Sequence, residues 1–281
     1  MTTVSRRRLI QAVPLVSTLG ASAMAHAQSN VPTSWDETVD VIVIGSGFAG
    51  LAAAIEAKKG GANVIVLEKM KMVGGNSIIN GGIFGVPGTP QQKALGIEDS
   101  PELMAQDMLR AGEGLNHPSK VKKLTESALE TYQWTVAELG VEYQNGNVKQ
   151  EGGHSVPRSL FTKNGSGSEI VNKELAYLKK LGVTPRTRVF MEALIQDENR
   201  RVIGVKVREN YSFPNNTSGT VKHIRAQHGV VLAYGGFGAD VQYRSMYDPK
   251  LTEKFQSTNH VSFPENLPSI NLIPLRISLN L

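Results

Sequence analysis

The sequence predicts an α/β fold, a parallel sheet with helices packed on it, and three observations predict it. Val39-Asp40-Val41-Ile42-Val43-Ile44 is a nearly continuous apolar run of strand length. Runs of that kind, unlike alternating ones, mark strands buried on both faces, as in parallel sheets. Gly45-Ser46-Gly47-Phe48-Ala49-Gly50 follows and runs into an Ala-rich helical stretch over 51–59. A second apolar run, Val64-Ile65-Val66-Leu67, then completes strand, glycine turn, helix, strand.

Later segments fit the same class. Residues 101–110 and 118–139 show helical spacing, the second placing Val121, Leu124, Ala128, Leu129 and Tyr132 on one face. Gly165-Ser166-Gly167 leads into a helix ending near Leu181. Val189–Gln196 and Val202–Glu209, joined through Asp197-Glu198-Asn199-Arg200, read as a β-hairpin inserted in the fold. Residues 229–233 form a further buried strand that ends at Gly235-Gly236. Residues 28–38 are polar and read as a linker, so the domain is expected over 39–260.

The N-terminus reads as an address. Arg6, Arg7 and Arg8 precede a weakly apolar stretch closing on Ala25-His26-Ala27, an A-x-A cleavage form. Paired arginines before such a stretch resemble a twin-arginine export signal over 1–27, which implies a periplasmic protein. The stretch is too short and too interrupted for a stable membrane span. These arginines are the only charges through Ala27, so removing them takes the net charge from +5 to +2. That balance no longer argues for a nucleic-acid partner. The chain contains no cysteine. Disulfides, thiolate zinc sites, iron–sulfur clusters and covalent c-type haem are excluded from it.

The glycine turn is a G-x-G-x-x-G in the context that gives it meaning: after a buried strand, opening a helix, with Glu68 at the end of the next strand. Gly45 permits the tight turn, Gly47 lets a pyrophosphate approach the backbone, and Gly50 lets helix and strand pack closely. The helix N-terminus supplies N–H groups and a dipole for the anion. Glu68 would accept hydrogen bonds from a ribose and disfavours a 2′-phosphate, so FAD or NAD is expected over NADP. A second glycine cluster, Gly74-Gly75-Asn76-Ser77 with Asn80-Gly81-Gly82, comes soon after. Backbone there can meet a flat ring without an intervening Cβ, which points to a flavin.

With these motifs assembled, the chain resembles the FAD-dependent fumarate reductase and succinate dehydrogenase flavoproteins. It is most similar to their soluble periplasmic flavocytochrome c branch, which includes urocanate and related 2-enoate reductases. The residues that carry the resemblance are the 41–50 segment, Leu67-Glu68-Lys69, 74–77, Gly81-Gly82, 99–104, and Leu232-Ala233-Tyr234-Gly235-Gly236-Phe237. It implies a Rossmann-like FAD-binding domain. Gly45, Ser46, Gly47, Phe48, Ala49 and Gly50 would hold the pyrophosphate, and Glu68 with Lys69 the ribose end. Gly74, Gly75, Asn76, Ser77, Asn80, Gly81 and Gly82 would lie along the flavin side, Val189 by the adenine, and Ala233, Gly235 and Gly236 near the adenosine half.

Departures qualify the resemblance. Tyr234 stands where threonine is usual. No histidine lies between His26 and His117 to attach a flavin, so FAD is expected to be non-covalent. Without a haem motif, electrons are expected from a separate donor protein such as a cytochrome c. After Asn259 the resemblance stops, and residues 261–281 read as a non-family tail. The domain is therefore expected to be truncated at its C-terminus, without the family's substrate clamp or proton-donating arginine, and no catalytic residue is assigned. The expected activity is hydride transfer from flavin to an α,β-unsaturated carboxylate. The alternatives are an inactive FAD-binding fragment and a relative of the ketosteroid dehydrogenases.

His154 and Arg158 could form a cationic pair for a carboxylate; solvated loop residues are the simpler expectation. His223, His228 and His260 lack metal spacing, and no metal site is expected.

Overall fold

Ile42, Val43, Ile44, Val66 and Leu67 are buried, and each lies on a strand whose neighbours are strands. The computed structural model describes residues 31–257. The signal expected over 1–27 and the tail expected over 261–281 lie outside the described residues.

β1 (Glu37–Ile44) pairs in parallel with β2 (Val64–Leu67) on one side and β8 (Thr220–Leu232) on the other. β8 also pairs antiparallel with β7 (Val202–Glu209), and β7 with β6 (Val189–Gln196), giving the order β2-β1-β8-β7-β6. The expected hairpin is thus present, as the antiparallel end of the main sheet. The sheet curls until its two ends meet. Leu67 bridges Arg186, and Val189 N–H donates to the Glu68 carbonyl at 2.9 Å. Strand pleating sends Val43, Val64 and Val66 into a core under the helices, and Ile42, Ile44, Ile65 and Leu67 into a second core with Val189, Val205 and Val207.

The helical core is closed by α1 (Phe48–Lys59), α5 (Pro118–Ala137) and α6 (Ser168–Lys180). α2 (Gly75–Ile79) leads into β3 (Ile83–Gly85), the first strand of a smaller antiparallel sheet, and α3 (Pro90–Ala94) and α4 (Pro101–Ala111) follow β3. The order of this sheet is β3-β5-β4, with β4 at Tyr143–Lys149 and β5 at Ser159–Thr162. α7 (Val241–Tyr247) follows the main sheet.

Three sequence expectations are corrected. The linker does not extend to residue 38, because Glu37 and Thr38 pair with Ile224 and Arg225 in β1. Glu37 also takes two hydrogen bonds from the Arg186 guanidinium, at 2.6 and 2.8 Å. The last strand begins at Thr220, not Gly229. On α5 the buried stripe is Val121, Thr125, Ala128, Tyr132 and Thr135, at spacings of four and three; Leu124 lies beside it and is exposed.

Candidate cofactor site

The C-terminal ends of β1, β2 and β8 converge on one cleft of about 280 Å³. Open α/β sheets bind ligands at this end of their parallel strands. Four chain segments line the cleft. The β1–α1 turn contributes Gly45, Ser46, Gly47, Phe48 and Ala49; the end of β2 contributes Glu68, Lys69 and Met70; α2 contributes Gly75, Asn76 and Ser77; the end of β8 contributes Ala233, Tyr234 and Gly235.

Backbone geometry holds these segments at contact distance. Gly45 N–H donates to the Leu67 carbonyl at 2.8 Å, and Ala233 N–H to the Ile44 carbonyl at 2.8 Å. Gly45 has φ +102°, and a Cβ there would sit 2.4 Å from the Ala233 carbonyl oxygen. A Cβ at Gly50 would sit 2.0 Å from the Gly45 carbonyl oxygen. Gly50 therefore does not face the cleft; it lets α1 approach the strand ends. At Gly47 the nearest neighbour is the Ser77 hydroxyl, 2.9 Å from a Cβ. Gly47 has no side chain to cap α1, and the Ser77 hydroxyl takes the first helical N–H, that of Phe48.

A buried polar cluster ties the two glycine motifs together. Ser46 N–H and Oγ–H donate to one Glu68 carboxylate oxygen at 3.1 and 2.6 Å, and Met70 N–H donates to the other at 2.9 Å. Ser46 Oγ accepts from Gly74 N–H at 3.0 Å, and Ser77 Oγ accepts from Phe48 N–H at 3.0 Å. Glu68 is fixed in place by the chain itself, and a carboxylate retains further lone pairs for a hydroxyl donor. Burial pushes the Lys69 ammonium down to about 8, with the Glu68 charge opposing that shift.

A smaller cavity adjoins this cleft between Gly45, Glu68, Val189, Phe190, Met191 and Tyr234. Val189 reaches it because its N–H is bonded to the Glu68 carbonyl. The sequence did not single out Phe190, Met191 or Met70; no local motif marks them, only the curl of the sheet. Asn80, Gly81, Gly82 and Gly236 lie outside the cleft lining. Asn80 instead braces the α2–β3 corner, accepting from Gly82 N–H at 2.7 Å and donating to the Ser77 carbonyl at 2.7 Å. Gly82 is packed against Thr162 and Ser166.

Arg158 corrects the expectation for the 152–158 segment. It is neither solvated nor available to a carboxylate ligand. It is fully buried, with Nε and Nη2 donating to Asp99 at 2.9 Å each and Nη1 to Asp107 at 2.7 Å. Burial alone would raise the Asp107 carboxyl; hydrogen bonds from Ser155 and Arg158 outweigh it and hold the group well below its ordinary value. His154 is half-buried, and burial with the neighbouring guanidinium keeps its imidazolium disfavoured. Among the described residues no cluster has a metal-ligand arrangement, and no helix is long and apolar enough to cross a membrane.

The donor set fits FAD: a bare glycine turn under a helix N-terminus, a buried carboxylate at the second strand end, and a small pocket beyond it. A family model described as an FAD binding domain matches residues 40–263. The acrylate reductase flavoprotein subunit of Shewanella woodyi is 42% identical over 242 residues, covering 86% of this chain and 47% of that protein. The urocanate reductase of Eggerthella lenta is 38% identical over 238 residues, covering 84% and 38%. A flavocytochrome c3 fumarate reductase solved in its open conformation superposes with a TM-score of 0.73 at 31% identity, over 82% of this chain and 39% of that one. The chain spans less than half the length of these relatives. It belongs to the FAD_binding_2 family of FAD binding domains, and its cofactor is FAD.

Proposed function

We propose that this chain is the FAD-holding part of an exported reductase of α,β-unsaturated carboxylates, with FAD bound non-covalently. The observation that carries the reading is the four-segment cleft, in a chain similar to acrylate, urocanate and fumarate reductases over more than four-fifths of its length. Glu68 receives the ribose hydroxyls, and Val189 flanks the adenine. Gly45, Ser46, Gly47, Phe48 and Ala49 take the pyrophosphate on the α1 N-terminus. Lys69 adds a cation at the ribose end. Gly74, Gly75, Asn76 and Ser77 lead toward the flavin, with Asn80, Gly81 and Gly82 beside it; Ala233, Gly235 and Gly236 close the adenosine half. When bound and reduced by two electrons, the flavin would supply a hydride to one alkene carbon, the neighbouring carbon taking a proton from an acid. We assign that acid to none of the described residues. Two electrons per turnover come from a separate donor protein, such as a cytochrome c, in keeping with a chain that has no cysteine. The arginine-led N-terminus supports a periplasmic location.

The test is oxidation of reduced viologen by the purified, flavin-loaded protein. Acrylate, urocanate or fumarate should each be tried beside a 3-ketosteroid. Oxidation dependent on an unsaturated carboxylate supports the proposal. Oxidation dependent on the steroid alone overturns it in favour of the dehydrogenase alternative. Flavin bands without turnover on any acceptor mark the chain as an FAD binder inactive by itself.

A further inference from the structure

The sequence contains three Asn-Gly pairs, Asn80-Gly81, Asn145-Gly146 and Asn164-Gly165. An asparagine followed by glycine can modify itself. Glycine carries no Cβ, so its backbone nitrogen can reach the asparagine Cγ and close a five-membered ring. The side chain and the next peptide must be able to turn toward each other. All three asparagines are exposed, so exposure does not separate them. Their hydrogen bonding does.

Asn80 is held at both ends of its amide. Nδ2 donates to the Ser77 carbonyl at 2.7 Å, and Oδ1 accepts from Gly82 N–H at 2.7 Å. Its own carbonyl accepts from Gly167 N–H at 2.9 Å, and Gly167 lies so close that a Cβ there would be 2.6 Å from Asn80 Nδ2. Asn164 is held in the same way. Oδ1 accepts from Ser166 N–H at 2.9 Å, and Nδ2 donates to Ser168 Oγ at 3.2 Å. The nitrogen that would attack, that of Gly165, has its N–H on the Thr162 carbonyl at 2.9 Å.

Asn145 stands apart. It lies where the pairing of β4 with β5 breaks. Tyr143 faces Thr162 and Val148 faces Leu160, so residues 144–147 stand opposite Phe161 alone. Residues in such a bulge lose their place in the ladder. Gln144 donates to the Thr162 carbonyl and Asn147 to Gln144, while the Asn145 side chain has no hydrogen bond among the described residues. Gly146 has φ +68°, and nothing lies within 4 Å of a Cβ placed there.

We propose that Asn145 is a site of spontaneous deamidation, and that the fold shields Asn80 and Asn164 from the same reaction. The Gly146 nitrogen attacks Asn145 Cγ. The new N–Cγ bond forms as the Cγ–Nδ2 bond breaks, and ammonia leaves with the proton from the Gly146 N–H. Water then opens the cyclic imide at either carbonyl, giving aspartate or isoaspartate. No oxidant or reductant takes part. The product carries a new carboxylate on the β4 bulge.

The test is to incubate the purified protein in mildly alkaline buffer and follow the three Asn-Gly peptides by mass spectrometry. The readout is the mass gained as an amide becomes an acid. The same chain unfolded in guanidinium gives the rates that local sequence alone allows. In the folded protein Asn145 should react at least tenfold faster than Asn80 and Asn164, whose reaction waits on local opening. In guanidinium the three should differ by less than that. Asn145→Gln, a change at an exposed position, should remove the mass gain from its peptide and leave the other two peptides as they were. Four outcomes would each overturn the proposal: Asn80 or Asn164 keeping pace with Asn145 in the folded protein, no reaction at Asn145, the same tenfold spread in guanidinium, or a mass gain that survives Asn145→Gln.

Discussion

Glu174 sits on the buried face of α6 with Ile170, Val171 and Leu178, only 1% exposed. One of its carboxylate oxygens has no hydrogen-bond partner among the described residues, and burial pushes the group up to about 9. The folded chain thus keeps a proton on Glu174 that the unfolded chain releases above an ordinary carboxylate value of 4.5. Stability from this group is full at acid pH and drains away as pH rises toward 9. Urea unfolding of the wild type should show that decline, and Glu174→Gln should remove it. At pH 8 the variant should be more stable by about 1–3 kcal/mol. Equal slopes in the two proteins would contradict the buried-acid assignment. The sequence concealed this residue, because a glutamate among the lysines of 168–180 looks like any solvated helix position. The fingerprint glycines were legible for the opposite reason: the β1–α1 turn leaves no room for a Cβ at Gly45 or Gly50, so the requirement is written into residue type. Gly50→Val should accordingly abolish FAD binding by forcing α1 off the strand ends, read as loss of flavin absorbance in the purified protein.

Arg158 opens into the junction of three elements. From the residue just before β5 it joins Asp107 on α4 and Asp99 just before that helix, while Gln92 of α3 donates to Asp99 at 2.8 Å. Removing the cation leaves two buried carboxylates facing each other. Arg158→Met should cost about 3–5 kcal/mol in a urea titration. A loss under about 1 kcal/mol, the size expected of an exposed ion pair, would contradict this role. Neither this junction nor the small sheet that it closes was legible in the sequence. β3 has three residues, and β4 carries Gln144, Asn145, Gly146 and Asn147, which read as loop. What makes them strands is pairing with β5, a tertiary contact. The first half of β8 was hidden similarly: Lys222, His223 and Arg225 give it a polar face, and it is held as a strand by pairing with β7 and with the start of β1. By contrast β2 was read residue for residue, and β1 and α1 were found with starts two and three residues late, since burial on both faces leaves an uninterrupted apolar run.

At the scale of the whole molecule, the sheet order explains why the cofactor residues lie so far apart in sequence. Parallel strands β2, β1 and β8 end side by side, bringing residue 45, residue 68 and residue 233 to one edge. The curl of the sheet adds Val189 to the same edge. The sequence could name the segments because each carries a backbone signature, but the meeting of β6 with β2 needs the folded sheet. The central claim is that this cleft holds FAD and holds it without a covalent bond. The most direct measurement is to purify the chain with its flavin, denature it, and identify what is released. The proposed non-covalent binding predicts FAD free in solution at close to one equivalent per chain. Flavin that stays with the denatured polypeptide, FMN in place of FAD, or no flavin from a folded chain supplied with FAD would contradict it.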